Sequence, residues 1–385
     1  MANVKTHDDR ERAEIVKPDP VDPRTQGFHI IDTDTHLLPD WDDLRALMPE
    51  PYRTKLKTFP LVGSDYNPSY ATNKQGTGQE VFGRARTGAE VLQSMTETGA
   101  DEVILVPGFL RPQSMYHKSW VSVLASAYND YLIEHVFPAS PNIRAELMIN
   151  QRIPEDAAKE IRRVGHHPGF VSAYTEFGGN YEQIGTAEHD PIFEAALEHD
   201  LIVTLHAGTF WQAYTPLHQG ARTWTELLGV STMAICLAYV SSMIIQGVFD
   251  KYPDLRCTVK EGGFWWIPEM TLRLDDYYLN HPHDISMCER KIESGETFLR
   301  QMPSDYIWKH FRFSTQPMLL PKNPKHAKAL WDMCQADDML FYSSDWPHAT
   351  FDPANWLFDT GFITDDARRK IFSENARSWY PRLTR

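Results

Sequence analysis

Four short segments carry side chains that bind divalent cations. Asp34 and His36 stand two apart in Ile31-Asp32-Thr33-Asp34-Thr35-His36. His206 follows the apolar run Ile202–Leu205, and Glu261 precedes Gly262-Gly263. Asp345 lies in Ser343-Ser344-Asp345-Trp346-Pro347-His348. On a strand, residues two apart share a face, so Asp34 and His36 can point the same way. Imidazole and carboxylate together bind zinc, manganese or iron at about 2 Å. Two His and two or three carboxylates leave a position open. There, bound water loses a proton near neutral pH, or a bidentate substrate is held. Each residue alone has an ordinary explanation. An Asp at a strand end caps a turn, and a buried His completes a hydrogen bond. Glu261 is harder to explain, because a carboxylate ending an apolar strand is costly unless paired or metal-bound. His348, three residues beyond Asp345, is spaced to assist the site or move a proton.

Recurrent strands must bring these segments together. Short apolar or β-branched runs occur at His29–Thr33, Glu102–Val106, Ala145–Ile149, Phe170–Ala173, Ile202–Leu205, Arg256–Lys260, Arg312–Thr315 and Leu340–Ser343. Near-continuous apolar runs suit parallel strands covered on both faces. Helical stretches alternate with them: Ala89–Thr98, Trp120–His135, Glu155–Val164, Pro191–His199, Thr232–Phe249, Ile267–Tyr278, Pro324–Gln335 and Thr364–Tyr380. Eight strands alternating with helices predict an α/β fold, a (β/α)₈ TIM barrel, whose chemistry sits where strands end. Residues 1–26 read as a flexible arm ahead of a single barrel domain, 27–385. Residues 50–88, rich in Pro, Gly, Tyr and Asn, read as a lid or insertion after the first strand.

The net charge of −14 argues against nucleic acid and anionic membrane as partners. The stretch 227–249 runs without a charge, but its Ser, Thr and Gln content and isolation favour a buried helix over a membrane span. The N-terminus lacks an apolar signal core, and the four cysteines show no C-x-x-C spacing. Both features predict a cytoplasmic protein with reduced thiols. Among other residues, Glu176, just past the fourth strand, either reaches the site or, as the preferred reading, is a loop carboxylate facing water, and His166-His167 and His281-Pro282-His283 read as solvated turns. Trp265 and Trp266 read as helix-to-barrel packing, and Arg273 with Asp275 as a structural pair.

At the metal-binding segments the sequence resembles the amidohydrolase-related family, in the branch of aminocarboxymuconate-semialdehyde and resorcylate-type decarboxylases. The resemblance rests on Ile31 to His36, Leu205-His206-Ala207-Gly208, Phe249 to Leu255 with Glu261 to Pro268, Ser343 to His348, and Glu374-Asn375-Ala376-Arg377. It covers roughly residues 28–380. It implies a deformed barrel with one divalent metal, held by Asp34, His36, His206 and Asp345. The sequence departs from the family pattern twice. Asp34 replaces the His or Glu usual in the first-strand motif, and Glu261 replaces a catalytic His of the decarboxylases.

The resulting expectation is a metal-dependent enzyme acting on a small carboxylate or carbonyl compound by hydrolysis or decarboxylation. Its metal ligands are drawn from Asp34, His36, His206, Glu261 and Asp345, and its catalytic groups from Glu261, Asp345 and His348. The cofactor is zinc or manganese. An alternative is a dinuclear iron or manganese oxygenase that uses Glu261 as a further ligand. Another is a metal-binding subunit without activity that serves a paralogue. The expected assembly is a homo-oligomer, or a hetero-oligomer with such a paralogue.

Overall fold

The computed structural model describes residues 21–55, 85–108, 117–177, 183–207, 223, 226, 229–230, 232–348 and 351–383. Eight parallel strands follow one another in sequence order around a single sheet. They are β1 (Ile31–Leu37), β2 (Glu102–Pro107), β3 (Ile143–Met148), β4 (Phe170–Glu176), β5 (Ile202–His206), β6 (Cys257–Lys260), β7 (Phe311–Ser314) and β8 (Leu340–Phe341). Helices fall between them, as the alternation predicts. The last strand is short, and its continuation completes the ring: Thr35 bridges Trp346 in parallel. The result is a nearly closed (β/α)₈ barrel.

Strand limits differ from the sequence reading where one side of the barrel is polar. β1 begins at Ile31 and runs on through Asp34 and His36 to Leu37, every residue buried. β4 likewise continues to Glu176. Apolarity marks where such strands begin, but their functional ends are polar and escape a hydrophobic pattern.

One end of the barrel is sealed. Ile31, Ile104, Val171, Ile202 and Phe341 pack with Ala376, Trp379, Tyr380 and Leu383 from the C-terminal segment into an apolar floor. The opposite end, where strands finish, holds the polar residues. The uncharged stretch forms the helix Thr232–Ile245, then Gly247 in the left-handed region (φ 72°), then Val248–Lys251. No helix among the described residues is long and apolar enough to cross a membrane. Cys236, Cys257 and Cys334 are buried, Cys288 is half-buried, and all four are free thiols. Of the predicted arm, residues 1–20 lie outside the described residues. Pro23–Thr25 forms a short helical turn, and Arg24 ties it to Asp22 and Asp359. Of the predicted lid, residues 56–84 also lie outside.

Two smaller readings are corrected. Glu176 does not face water; it is fully buried at the end of β4, because the strand runs two residues past its apolar part. Arg273 pairs with Glu269 one turn earlier on the same helix, not with Asp275. The Asp275 carboxylate instead accepts from the Ser304 backbone N–H at 2.9 Å.

Candidate metal centre at the barrel mouth

The seam that closes the barrel also assembles the site. The Thr33 N–H donates to the Tyr342 carbonyl, the Asp345 N–H to Asp34 and the His36 N–H to Trp346, at 3.1, 3.0 and 2.7 Å. Asp32 pins this seam. Its carboxylate accepts from the backbone N–H of Ser344 (2.9 Å) and the hydroxyl of Thr35 (3.0 Å). Burial pushes the Asp32 carboxyl up to about 6, although the Ser344 hydrogen bonds oppose this. Asp34, His36 and Asp345 are thereby fixed side by side, all fully buried.

The remaining members arrive from β5 and β6. The His206 Nδ1 donates to the Ala207 carbonyl, which turns Nε2 toward Asp34. Glu261 follows β6 with its backbone in the left-handed region (φ 51°), as does Asp345 (φ 60°). Non-glycine residues seldom adopt that region, and such outliers cluster at functional sites. The turn after Glu261 requires a glycine. A Cβ on Gly262 would lie 2.6 Å from the Cys236 sulfur of the helix Thr232–Ile245.

The sequence reading named six residues, and the structure brings all six together. His36 Nε2 lies 3.3 Å from Asp34 Oδ1, 3.2 Å from Asp345 Oδ1 and 3.6 Å from Glu261 Oε1. His206 Nε2 lies 3.4 Å from Asp34, and its Nδ1 lies 3.8 Å from Glu261 Oε2. His348 Nδ1 lies 3.3 Å from Glu261 Oε1 and hydrogen-bonds Asp345 Oδ1 directly.

Two fully buried carboxylates, Asp34 and Asp345, with the partly exposed Glu261 beside them, need countercharge. Burial alone would raise the Asp34 carboxyl, but His206 and His36 beside it hold it well below the usual carboxylate range. Asp345 is held down in the same way by His348 and His36, against its burial. Reciprocally, burial would lower His206, but Asp34 and Glu261 push it up to about 9. His348 is raised too, by Asp345 against burial. Beside these carboxylates, His206 and His348 both favour the protonated form.

This donor set fits a divalent cation. Bonds of about 2.0–2.2 Å place neighbouring ligand atoms about 3–4 Å apart, which matches the 3.2–3.8 Å separations here. The buried Oδ2 of Asp34 has no hydrogen-bond partner among the described residues and lies 3.4 Å from His206 Nε2, so these two donors could share an ion. Asp34, His36, His206 and Glu261 form one group able to hold a metal, and His36, Glu261, Asp345 and His348 a second.

The family pattern described as Amidohydrolase matches residues 31–382. The chain belongs to the amidohydrolase family. This amidohydrolase is 23% identical over 297 residues to a gamma-resorcylate decarboxylase from Polaromonas sp. (strain JS666 / ATCC BAA-500), covering 74% of this chain and 85% of the relative. It is also 23% identical over 308 residues to one from Rhodococcus jostii (strain RHA1), with 75% and 86% covered. Among solved structures it resembles 5-carboxyvanillate decarboxylase from Novosphingobium aromaticivorans DSM 12444, complexed with manganese and 4-hydroxy-3-methoxy-5-nitrobenzoic acid. The TM-score is 0.67 at 19% identity, over 96% of this chain and 100% of that one. An amidohydrolase from Mycobacterium avium subsp. paratuberculosis K-10 gives a TM-score of 0.70 at 16% identity, over 92% and 99%. This amidohydrolase is an enzyme with a cluster able to bind a divalent metal.

Several residues near the site escaped the sequence reading. Lys260 and Glu146 form a fully buried ion pair at 2.7 Å inside the barrel. Thr204 also donates to Glu146, and Lys260 to the Thr33 carbonyl. Gln316 donates to Asp345 Oδ2 at 3.0 Å. Tyr174 sets its ring 5.5 Å from that of His206 and its hydroxyl 3.5 Å from Glu176. A Lys directly before Glu261 was a visible signal. Gln316 and Tyr174 carried none, because their role depends on strand register. Trp266 packs as predicted, donating to the Gly262 carbonyl and meeting Phe313 edge-on.

Proposed function

We propose that this amidohydrolase is a divalent-metal-dependent carboxy-lyase for small aromatic carboxylates. One observation carries the reading: three strand ends and the closing seam converge on a histidine–carboxylate shell whose donor atoms lie 3.2–3.8 Å apart. The relatives named as gamma-resorcylate decarboxylases support decarboxylation over hydrolysis. In this reading Asp34, His36, His206 and Asp345 hold the ion. Bound there, the ion supplies an electrophile that fixes and polarises a substrate's oxygens.

The chain's own residues do the rest. Decarboxylation breaks the bond between the ring carbon and its carboxylate. The electron pair stays on the ring carbon, a proton joins that carbon, and carbon dioxide leaves. The proton is placed at the hydrogen bond between His348 and Asp345, whose carboxylate favours the protonated imidazole against burial. Glu261, close to His348, helps retain that proton. The sealed apolar floor keeps bulk water away from the shell from below.

The test is release of carbon dioxide from a panel of hydroxybenzoates by manganese-loaded protein without oxygen. Stoichiometric release, abolished by a chelator, is the expected result. Turnover of amides or lactones with no carbon dioxide from any carboxylate would refute the reading. So would activity that consumes oxygen.

A further inference from the structure

The sealed end of the barrel carries two arginines that no carboxylate answers. Arg256 directly precedes β6, and Arg312 is the second residue of β7, in register with Thr258. Both guanidinium groups lie against the ring of Trp379, in the C-terminal segment that closes the floor, at 5.4 and 4.3 Å from its centre. Arg256 Nη1 donates to the carbonyls of Ser378 and Trp379, each at 3.0 Å. Arg312 Nη1 donates to those of Trp308 and Phe311, at 3.0 and 2.7 Å. The Nε and Nη2 groups of both have no protein acceptor among the described residues, and neither side chain forms an ion pair there. We propose that Arg256 and Arg312 form a binding site for a phosphate group, at the end of the barrel opposite the metal centre. This site is independent of the reaction assigned to the mouth.

Charge and geometry both support it. Elsewhere the buried bases Arg290, Lys291 and Lys260 each meet a carboxylate directly. Arg312 is half-buried beside a like charge instead. Burial pushes its guanidinium down to about 10; Asp338 opposes this and Arg256 adds to it. The Asp338 carboxylate is itself held by Lys370, at 2.7 Å. A desolvated cation without a counter-ion is expensive, and here two stand together. An anion between them removes that cost. The geometry suits an oxyanion. An aromatic ring holds the face of a guanidinium and leaves its N–H edge for hydrogen bonds. The carbonyls that accept from Nη1 fix the orientation of each edge. A phosphate dianion neutralises both charges and accepts from two guanidinium forks at once, whereas a monocarboxylate brings one charge and two oxygens. Bound there, phosphate ties the starts of β6 and β7 to the C-terminal helix Asn375–Trp379, so its binding stabilises the folded chain by mass action.

The test is calorimetric titration of the full chain with inorganic phosphate and, separately, with phenyl phosphate, at constant ionic strength set by chloride. Thermal unfolding is recorded alongside. About one phosphate per chain is expected, with an unfolding midpoint that rises with phosphate concentration. Arg256→Gln and Arg312→Lys should each bind at least about tenfold more weakly while still unfolding cooperatively, the lysine keeping the charge but not the fork. His206→Ala, which disrupts the mouth, should bind phosphate as the parent does. Tighter binding of phenyl phosphate would support the site as one for the phosphate of a larger molecule; tighter binding of inorganic phosphate would support it as one for the free anion. No binding of either by the parent overturns the site, as does parent-like affinity in both arginine variants. Binding lost in His206→Ala but kept in the arginine variants would put the anion at the mouth and also overturn it.

Discussion

The barrel mouth and a second buried ionic cluster on the barrel's flank solve the same problem with different bases. In the flank cluster, Arg290 donates to Asp190 at 2.9 Å and to the carbonyls of Gln246 and Thr186. Its neighbour Lys291 pairs with Asp250 at 2.6 Å, and Tyr306 donates to the same carboxylate. These bases are permanently charged, and the clasp ties 284–296 to the helices beside it. At the mouth, Asp34, Glu261 and Asp345 meet histidines instead. Arginine and lysine stay charged, so the flank is a permanent lock. Imidazole gives up its proton near neutral pH, so the mouth can exchange protons for a cation. Histidines report the contrast. His206 at the mouth is pushed up to about 9, by Asp34 and Glu261 overcoming its burial. His310, stacked on Phe249 next to the clasp, is driven down to about 4 by burial.

The largest expected effect comes from breaking the mouth. His206→Ala or Asp345→Asn should abolish metal retention and lower kcat/KM by at least about a thousandfold, or ~4 kcal/mol of transition-state stabilisation. Far-UV circular dichroism should be unchanged, since the strands are held by backbone ladders and the apolar floor. Full activity in both variants would remove the mouth from the reaction.

Breaking the flank should give the reverse pattern. Arg290→Ala leaves Asp190 with Lys251 alone (2.8 Å) and removes the donors to the buried carbonyls of Gly185, Gln246 and Thr186, costing about 3 kcal/mol of folding stability. Urea denaturation should show this loss, while metal content per folded chain stays at the parent value. If Arg290→Ala folded as stably as the parent but lost its metal, the contrast between the two clusters would be wrong.

The mouth was far more legible in the sequence than the flank, for a physical reason. Metal-binding side chains at strand ends keep a fixed relation to the apolar run before them, so Asp34, His206, Glu261 and Asp345 could be read against eight strands. His36 shares its face with Asp34 by the two-residue period alone. The flank joins residues about a hundred positions apart, Asp190 with Arg290, and no local pattern encodes such a pairing. The same limit hid Gln316 and the Lys260–Glu146 pair, whose meeting depends on the register of β3 and β6 around the barrel. Glu176 was misread because solvent exposure was inferred from its position after an apolar run, while the strand continued beneath the helices.

A finer test lies in the acid response of the flank histidine. His310 is 2% exposed, and its Nδ1 hydrogen-bonds the Leu255 carbonyl at 2.8 Å. With a folded pKa of about 4 against about 6.5 unfolded, the unfolded chain binds the extra proton first as pH falls. The contribution to stability is therefore complete above pH ~6.5 and is lost between ~6.5 and ~4, by at most about 3 kcal/mol. His189, also near 4 through burial with Arg290 adding to it, acts in the same direction. In His310→Asn the amide replaces the ring N–H, so the hydrogen bond survives without the titration. Urea melts at pH 7 and pH 5 should show a smaller acid loss in this variant than in the parent. An equal loss would mean that His310 is not buried neutral.

The smallest expected effect is at the corrected surface pair. Arg273 and Glu269 lie one helical turn apart at 2.8 Å, both about two-thirds exposed. Such pairs contribute only about 0.3–0.5 kcal/mol, because water screens them and both side chains lose freedom. Arg273→Ala should shift the urea midpoint barely beyond error, and 1 M salt should erase even that shift. A loss above about 1 kcal/mol would mean that this helix face is covered, and that Arg273 contacts something other than Glu269. The pair thus sets the lower end of a scale whose upper end is the flank clasp. Ion pairs of similar length differ roughly tenfold in consequence, and burial, rather than distance, decides which ones hold the fold.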